Sequence, residues 1–223
     1  MKMAAITIDS LDLSFSIVTD HIFFPLDLRD VRPVLARNGF ELSHLTSPLP
    51  VRPIRVGGGG MIARKENFSV NMDFDRNIVG LSGKSSERII EVFDELTKIL
   101  KDEMRVDLAS RARYYEMVSH YHVITNRKPS ERFSRICEGM EIFEKIEKIM
   151  GFPVSSFGLR ISPKGSDPDE VEWFDVAVEP DTPQPNKYYC GIVFRSKEKE
   201  KVTQQILRDR EFVRQLIEVI ESE

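Results

Sequence analysis

Asn67-Phe68-Ser69-Val70-Asn71-Met72-Asp73-Phe74 is the stretch on which the fold turns. Phe68, Val70, Met72 and Phe74 share one side of an extended segment, and Ser69, Asn71 and Asp73 share the other. That alternation predicts a strand with one dry and one wet face. Asp75-Arg76-Asn77 supplies turn chemistry. A short strand is expected over 78–81, then a helix from about 86 to 104 with Ser85 or Ser86 as its N-cap. Ile89, Phe93, Leu96, Ile99 and Leu100 recur at helical spacing and form a core-facing stripe. Asp94, Glu95, Lys98 and Lys101 fall on the wet side.

Working outward, the same order of elements appears twice. Upstream, Leu11, Leu13, Phe15 and Ile17 alternate with polar residues, and Asp27 can cap a helix that stops at Asn38-Gly39. Downstream, 111–124 is the longest strand candidate, followed by a helix expected from about 130 to 150. Strands are expected at 155–162, 171–179 and 187–195, and a final helix from about 198 to 221. We therefore expect an α+β fold: an antiparallel sheet backed by long helices, with helices on one face and the other face open. The chain divides into an N-terminal half, 1–105, and a C-terminal half, 106–223, two pseudo-repeats of strand, helix, strands, helix.

Composition bounds the class. The 223 residues are 41% hydrophobic and 30% charged, which suits a folded chain. A net charge of −4 argues against coating duplex DNA, which needs a basic face. Cys137 and Cys190 lie in apolar surroundings with no CxxC spacing, so two buried free thiols in a reducing cytoplasm are expected, with a disulfide between them as the alternative. No run is long and apolar enough for a membrane span, and the N-terminus lacks a signal-peptide core. Scarce amides and dense ion-pairing residues suit a thermophile.

The stretch from the polar turn into the capped helix reads Ile78-Val79-Gly80-Leu81-Ser82-Gly83-Lys84, then Ser85-Ser86-Glu87. It resembles the strand–TGAKS–EE–helix pattern of the TATA-box-binding-protein family, with Ser82-Gly83-Lys84-Ser85 in the corresponding place. The resemblance implies a duplicated saddle. It does not carry over TATA recognition, because the paired phenylalanines of that family's hairpins are missing near 52–64 and 162–171.

Motifs for chemistry are sparse. Gly57-Gly58-Gly59-Gly60 lacks the GK[ST] ending of a phosphate loop and reads as a hairpin tip or bulged strand. No nucleophile elbow is present, and no cofactor is implied. His120 and His122 lie two apart on a strand and project from one face, a pair that can hold a metal ion if a third ligand joins, with Glu116 on the same face as a candidate. Arg111, Arg113, Tyr115 and Tyr121 are expected on the opposite face, where interleaved Arg and aromatic side chains can bind a protein or a single-stranded nucleic acid. Arg55 and Arg64, with Arg52 and Lys65, flank the glycine run as the most basic local stretch.

Three functions follow as expectations. The first is a non-enzymatic binding protein that uses an open sheet face or edge for a protein or nucleic-acid partner. The second is a small-ligand or metal-binding protein, an enzyme included, with a pocket between sheet and helix lined by His120, His122 and Glu116. The third is a structural homodimer joined through the open face.

Overall fold

In the capped helix that follows the opening stretch, α2 (Ser86–Met104), the Ser85 side chain accepts a hydrogen bond from the Arg88 amide. Arg105, in the left-handed region at φ 57°, ends it. Ile89, Val92, Phe93, Leu96, Ile99 and Leu100 are buried, the stripe predicted with Val92 added. The structure, a computed structural model, describes residues 6–20, 26–43, 60–73 and 75–222. Arg52, Arg55, His21, His44, Phe74 and the first three residues of the glycine run lie outside the described residues.

The first half runs β1 (Thr7–Thr19), α1 (Leu28–Arg37), β2 (Glu41–Leu42), β3 (Gly60–Lys65), β4 (Phe68–Asp73), β5 (Ile78–Gly83) and α2. The second begins with a 3-10 turn, Ala109–Arg111. It continues as β6 (Ala112–Ile124), α3 (Pro129–Ile136), α4 (Glu141–Met150), β7 (Leu159–Ile161), β8 (Trp173–Pro180), β9 (Lys187–Ser196) and α5 (Lys199–Ser222). The fold class is α+β. Among the described residues, all strands join one nine-stranded antiparallel sheet in the order β2-β3-β4-β5-β1-β6-β9-β8-β7. The long β1–β6 ladder at its centre joins the two halves.

One face of the sheet forms the core. Leu13, Phe15 and Ile17 of β1 oppose Ser119, Met117 and Tyr115 of β6, and these oppose Ile192, Phe194 and Ser196 of β9. Buried residues of α1, α2, α3 and α5 cover this face in a single cluster. Phe15 packs on Phe93 of α2 with ring centroids 4.2 Å apart. Cys137 and Cys190 are both buried and free. Burial, with Asp209 nearby, pushes the Cys190 thiol up to about 12.

The helix expected over 130–150 is two helices. Gly139 takes φ +74°, which a right-handed helix cannot continue, and it separates α3 from α4. The strand expected over 155–162 shrinks to three residues, bounded by Gly158 and Pro163. A register shift between Ser10 and Asp12 interrupts the alternation of β1. Leu11 therefore leaves the series Leu13, Phe15, Ile17. Asp12, in the regular register on the other side of the shift, is opposite His120.

Two buried polar clusters tie helices to this core. Tyr121 donates to Asp209 of α5 at 2.7 Å, and Asp209 is 0% exposed. Burial raises its pKa, and it raises that of Tyr121 as well. Near the end of α5, Glu221 Oε1 accepts from Tyr188 at 2.7 Å and from Thr125 at 3.0 Å. The buried Arg132 of α3 lies 3.8 Å from its other oxygen.

Candidate functional site: the open face of the sheet

Alternation that sends one set of side chains into the core sends the other to the opposite face. On the first half this face is small and polar. Ser14 of β1 opposes Ser82 of β5, which opposes Ser69 of β4; Ser16, Gly80 and Asn71 form the next row. Gly80 is required by close strand approach, since a Cβ there would stand 2.7 Å from Ser16 Cβ and 2.9 Å from the Phe15 carbonyl. A shallow depression of about 340 Å³ results, with Asp73 and Glu116 at its margins.

The second half is larger and aromatic. Glu116, Arg195 and Trp173 stand side by side on β6, β9 and β8. The Arg195 guanidinium pairs with Glu116. It also lies 5.2 Å from the ring centroids of both Tyr114 and Trp173. A cation held by a carboxylate and flanked by two rings is pre-organised, so little side-chain entropy is lost when a partner packs on it. Farther along β6, His120 Nδ1 is 2.7 Å from Asp12 Oδ1, and its ring stacks on Tyr189 at 5.6 Å. His122 Nε2 lies 3.4 Å from Asp181 and meets the edge of the same Tyr189 ring. A second depression, of about 450 Å³, runs from His120 and Tyr189 to Arg160 on β7. Arg160 makes a two-pronged contact with Asp175 at 2.8 and 2.6 Å.

The expected site residues separate. Tyr115 and Tyr121 do not lie on the open face; they are 7% and 3% exposed, among the core residues. Their parity is that of Met117 and Val123, and burying those two apolar side chains carries the tyrosines inward. Arg113 is half-buried, its guanidinium 5.8 Å from the Tyr114 ring. Arg111 is exposed in the 3-10 turn before β6, off the sheet. Arg64 is exposed on β3, one strand in from the sheet edge, and its Nε contacts Met61 Sδ at 3.2 Å. Arg55 lies outside the described residues.

His120, His122 and Glu116 do share one face, as their spacing predicts, but it is the open face and not a space between sheet and helices. Each is engaged separately, with Asp12, Asp181 and Arg195. Among the described residues no group of three His, Cys, Asp or Glu side chains is arranged to hold a metal ion. Sequence reasoning missed Arg195 and Tyr189. Parity along 187–195 would have placed Tyr189 and Arg195 opposite the buried Tyr188, Cys190 and Ile192, but which strand lies beside them depends on register.

No protein-family model matches the chain, and no curated protein matches it in sequence. Among the described residues, no helix is long and apolar enough to cross a membrane.

Proposed function

We propose that this chain is a non-enzymatic binding protein that docks a protein partner on the open face of its sheet. The observation that carries this is the row Tyr114, Arg195 and Trp173, held by Glu116 on a face that α1, α2, α3 and α5 leave bare. Tyr, Trp and Arg are the residues that dominate protein interfaces. Charge favours protein over nucleic acid. Arg195 and Arg160 are already neutralised by Glu116 and Asp175, and Asp12, Asp73 and Glu179 add further negative charge to the face. Phosphate neutralisation needs the reverse.

The strand order supports the idea of two related halves. The first strand of each half, β1 or β6, sits at the centre, with its last strand, β5 or β9, beside it and the others following outward. The chain order strand, helix, strands, helix in each half is what the resemblance to the TATA-box-binding-protein saddle implies, with one strand fewer in the second half among the described residues. We take the two halves as a duplicated unit, and the protein as cytoplasmic.

The test is site-specific photocrosslinking in cells. A crosslinker at Ser14 or Val193 on the open face should give one discrete protein adduct. Crosslinkers at Leu207 and Val219, exposed on α5, should not. Nuclease-sensitive adducts, or adducts from α5 alone, would overturn the proposal.

A further inference from the structure

The two outer edges of the sheet are finished differently. At the first-half edge, β2 covers β3, and α1 buries Val31, Val34 and Leu35 against the core. At the second-half edge, among the described residues, the sheet ends at β7. Leu159, Arg160 and Ile161 pair with Val178, Ala177 and Val176 of β8. Among the described residues, their backbone makes no hydrogen bond on the outer side. Leu159 and Ile161 point to the core side, beside the buried Val178 and Val176, yet are 37% and 36% exposed. They are not scattered surface residues. Among the described residues, nine of the eleven exposed large apolar side chains fall between Met140 and Ile161 in sequence. An unpaired edge and two partly bare apolar side chains thus coincide on β7.

We propose that the β7 edge accepts an extended segment of a partner protein as a tenth strand, with an acidic residue opposite Arg160 and apolar residues on either side of it. Backbone groups of β7 supply the ladder, and alternate side chains supply the selection. Leu159 and Ile161 take the two apolar residues. The Arg160 side chain is 74% exposed even though it contacts Asp175, so it can take a second carboxylate across the new ladder. The same residue argues against a second copy of this chain as the occupant. Antiparallel two-fold pairing of β7 about Arg160 places two guanidinium groups directly opposite each other, which destabilises a sheet pair. This proposal does not depend on the open-face function: Arg160 borders that face, but the ladder is made by the backbone of β7 at the sheet edge.

The probe is a synthetic nonapeptide, acetyl-Lys-Thr-Thr-Val-Glu-Val-Thr-Thr-Lys-amide, titrated by calorimetry into the full chain. Binding should be accompanied by slowed hydrogen exchange at the Leu159–Ile161 amides. Replacing the peptide Glu by Lys should weaken binding about fivefold, the scale of one exposed ion pair. Arg160→Glu should invert that preference, with retained cooperative thermal unfolding as the folding control. N-methylation of the peptide's ladder-facing amides should abolish binding. No binding, or binding with no charge preference, would show an edge merely blunted by its shortness. Concentration-dependent dimerisation with protected β7 amides and no peptide binding would make a second copy the occupant. Either result overturns the proposal.

Discussion

Replacing Asp209 by Asn should remove a pH-dependent loss of stability that the wild-type fold carries. Asp209 is 0% exposed between α5 and β6, and burial raises its pKa in the folded state. The unfolded chain has an ordinary carboxyl, with a pKa of about 3.9. Below that value both states hold the proton, and the contribution to stability is fully present. As pH rises, the unfolded state ionises first, and stability falls until the raised folded pKa is passed. The difference of one bound proton sets a slope of at most about 1.4 kcal/mol per pH unit. Ser119 and Tyr121 on β6, Gln205 on α5 and the Cys190 thiol on β9 surround the carboxyl and supply no cation to offset its charge. Asparagine keeps an acceptor for Tyr121 without the ionisation. The assay is urea unfolding of both proteins from pH 4 to 8. Wild type should lose stability relative to Asp209→Asn as pH rises, and the variant should be the more stable at neutral pH. Tyr121→Phe, which removes the 2.7 Å donor, should cost about 1–3 kcal/mol. A difference between wild type and Asp209→Asn that does not change with pH would refute the reasoning.

Glu221→Ala should cost about 3–5 kcal/mol in urea unfolding, because it leaves the Arg132 guanidinium buried without its carboxylate; a loss under 1 kcal/mol would contradict this. Gly80→Ala should destabilise by about 1–3 kcal/mol, since its Cβ meets the Phe15 carbonyl and Ser16 at under 3 Å, and near-wild-type unfolding would show that the strands can separate. Native protein should give almost no fast reaction with a thiol reagent at pH 8, and both Cys137 and Cys190 should react after denaturation.

What was legible in the sequence follows from periodicity. Asn67 to Met104 states its strand, cap and helical stripe in local pattern alone, and the structure places them as read. The helix break at Gly139 was also present in the sequence, but the apolar series through Phe133, Ile136, Cys137, Met140 and Phe143 runs across it and masks it. The faces of β6 were legible in principle, because Met117 and Val123 mark the buried parity. The Arg and Tyr side chains drew attention to the wrong one. The Tyr114–Arg195–Trp173 row was not legible, because its members are brought together by strand register across long separations. Nor was the meeting of Asp12 with His120, which depends on the register of β1 against β6.

The central claim is that the open face is the binding surface and that its aromatic row anchors the partner. The most direct measurement is the yield of the protein adduct from a crosslinker at Ser14 in a Tyr114→Ala, Trp173→Ala variant, together with that variant's melting temperature. We predict that the adduct is lost while the fold still melts cooperatively. An adduct formed in undiminished yield by the folded variant would contradict the claim.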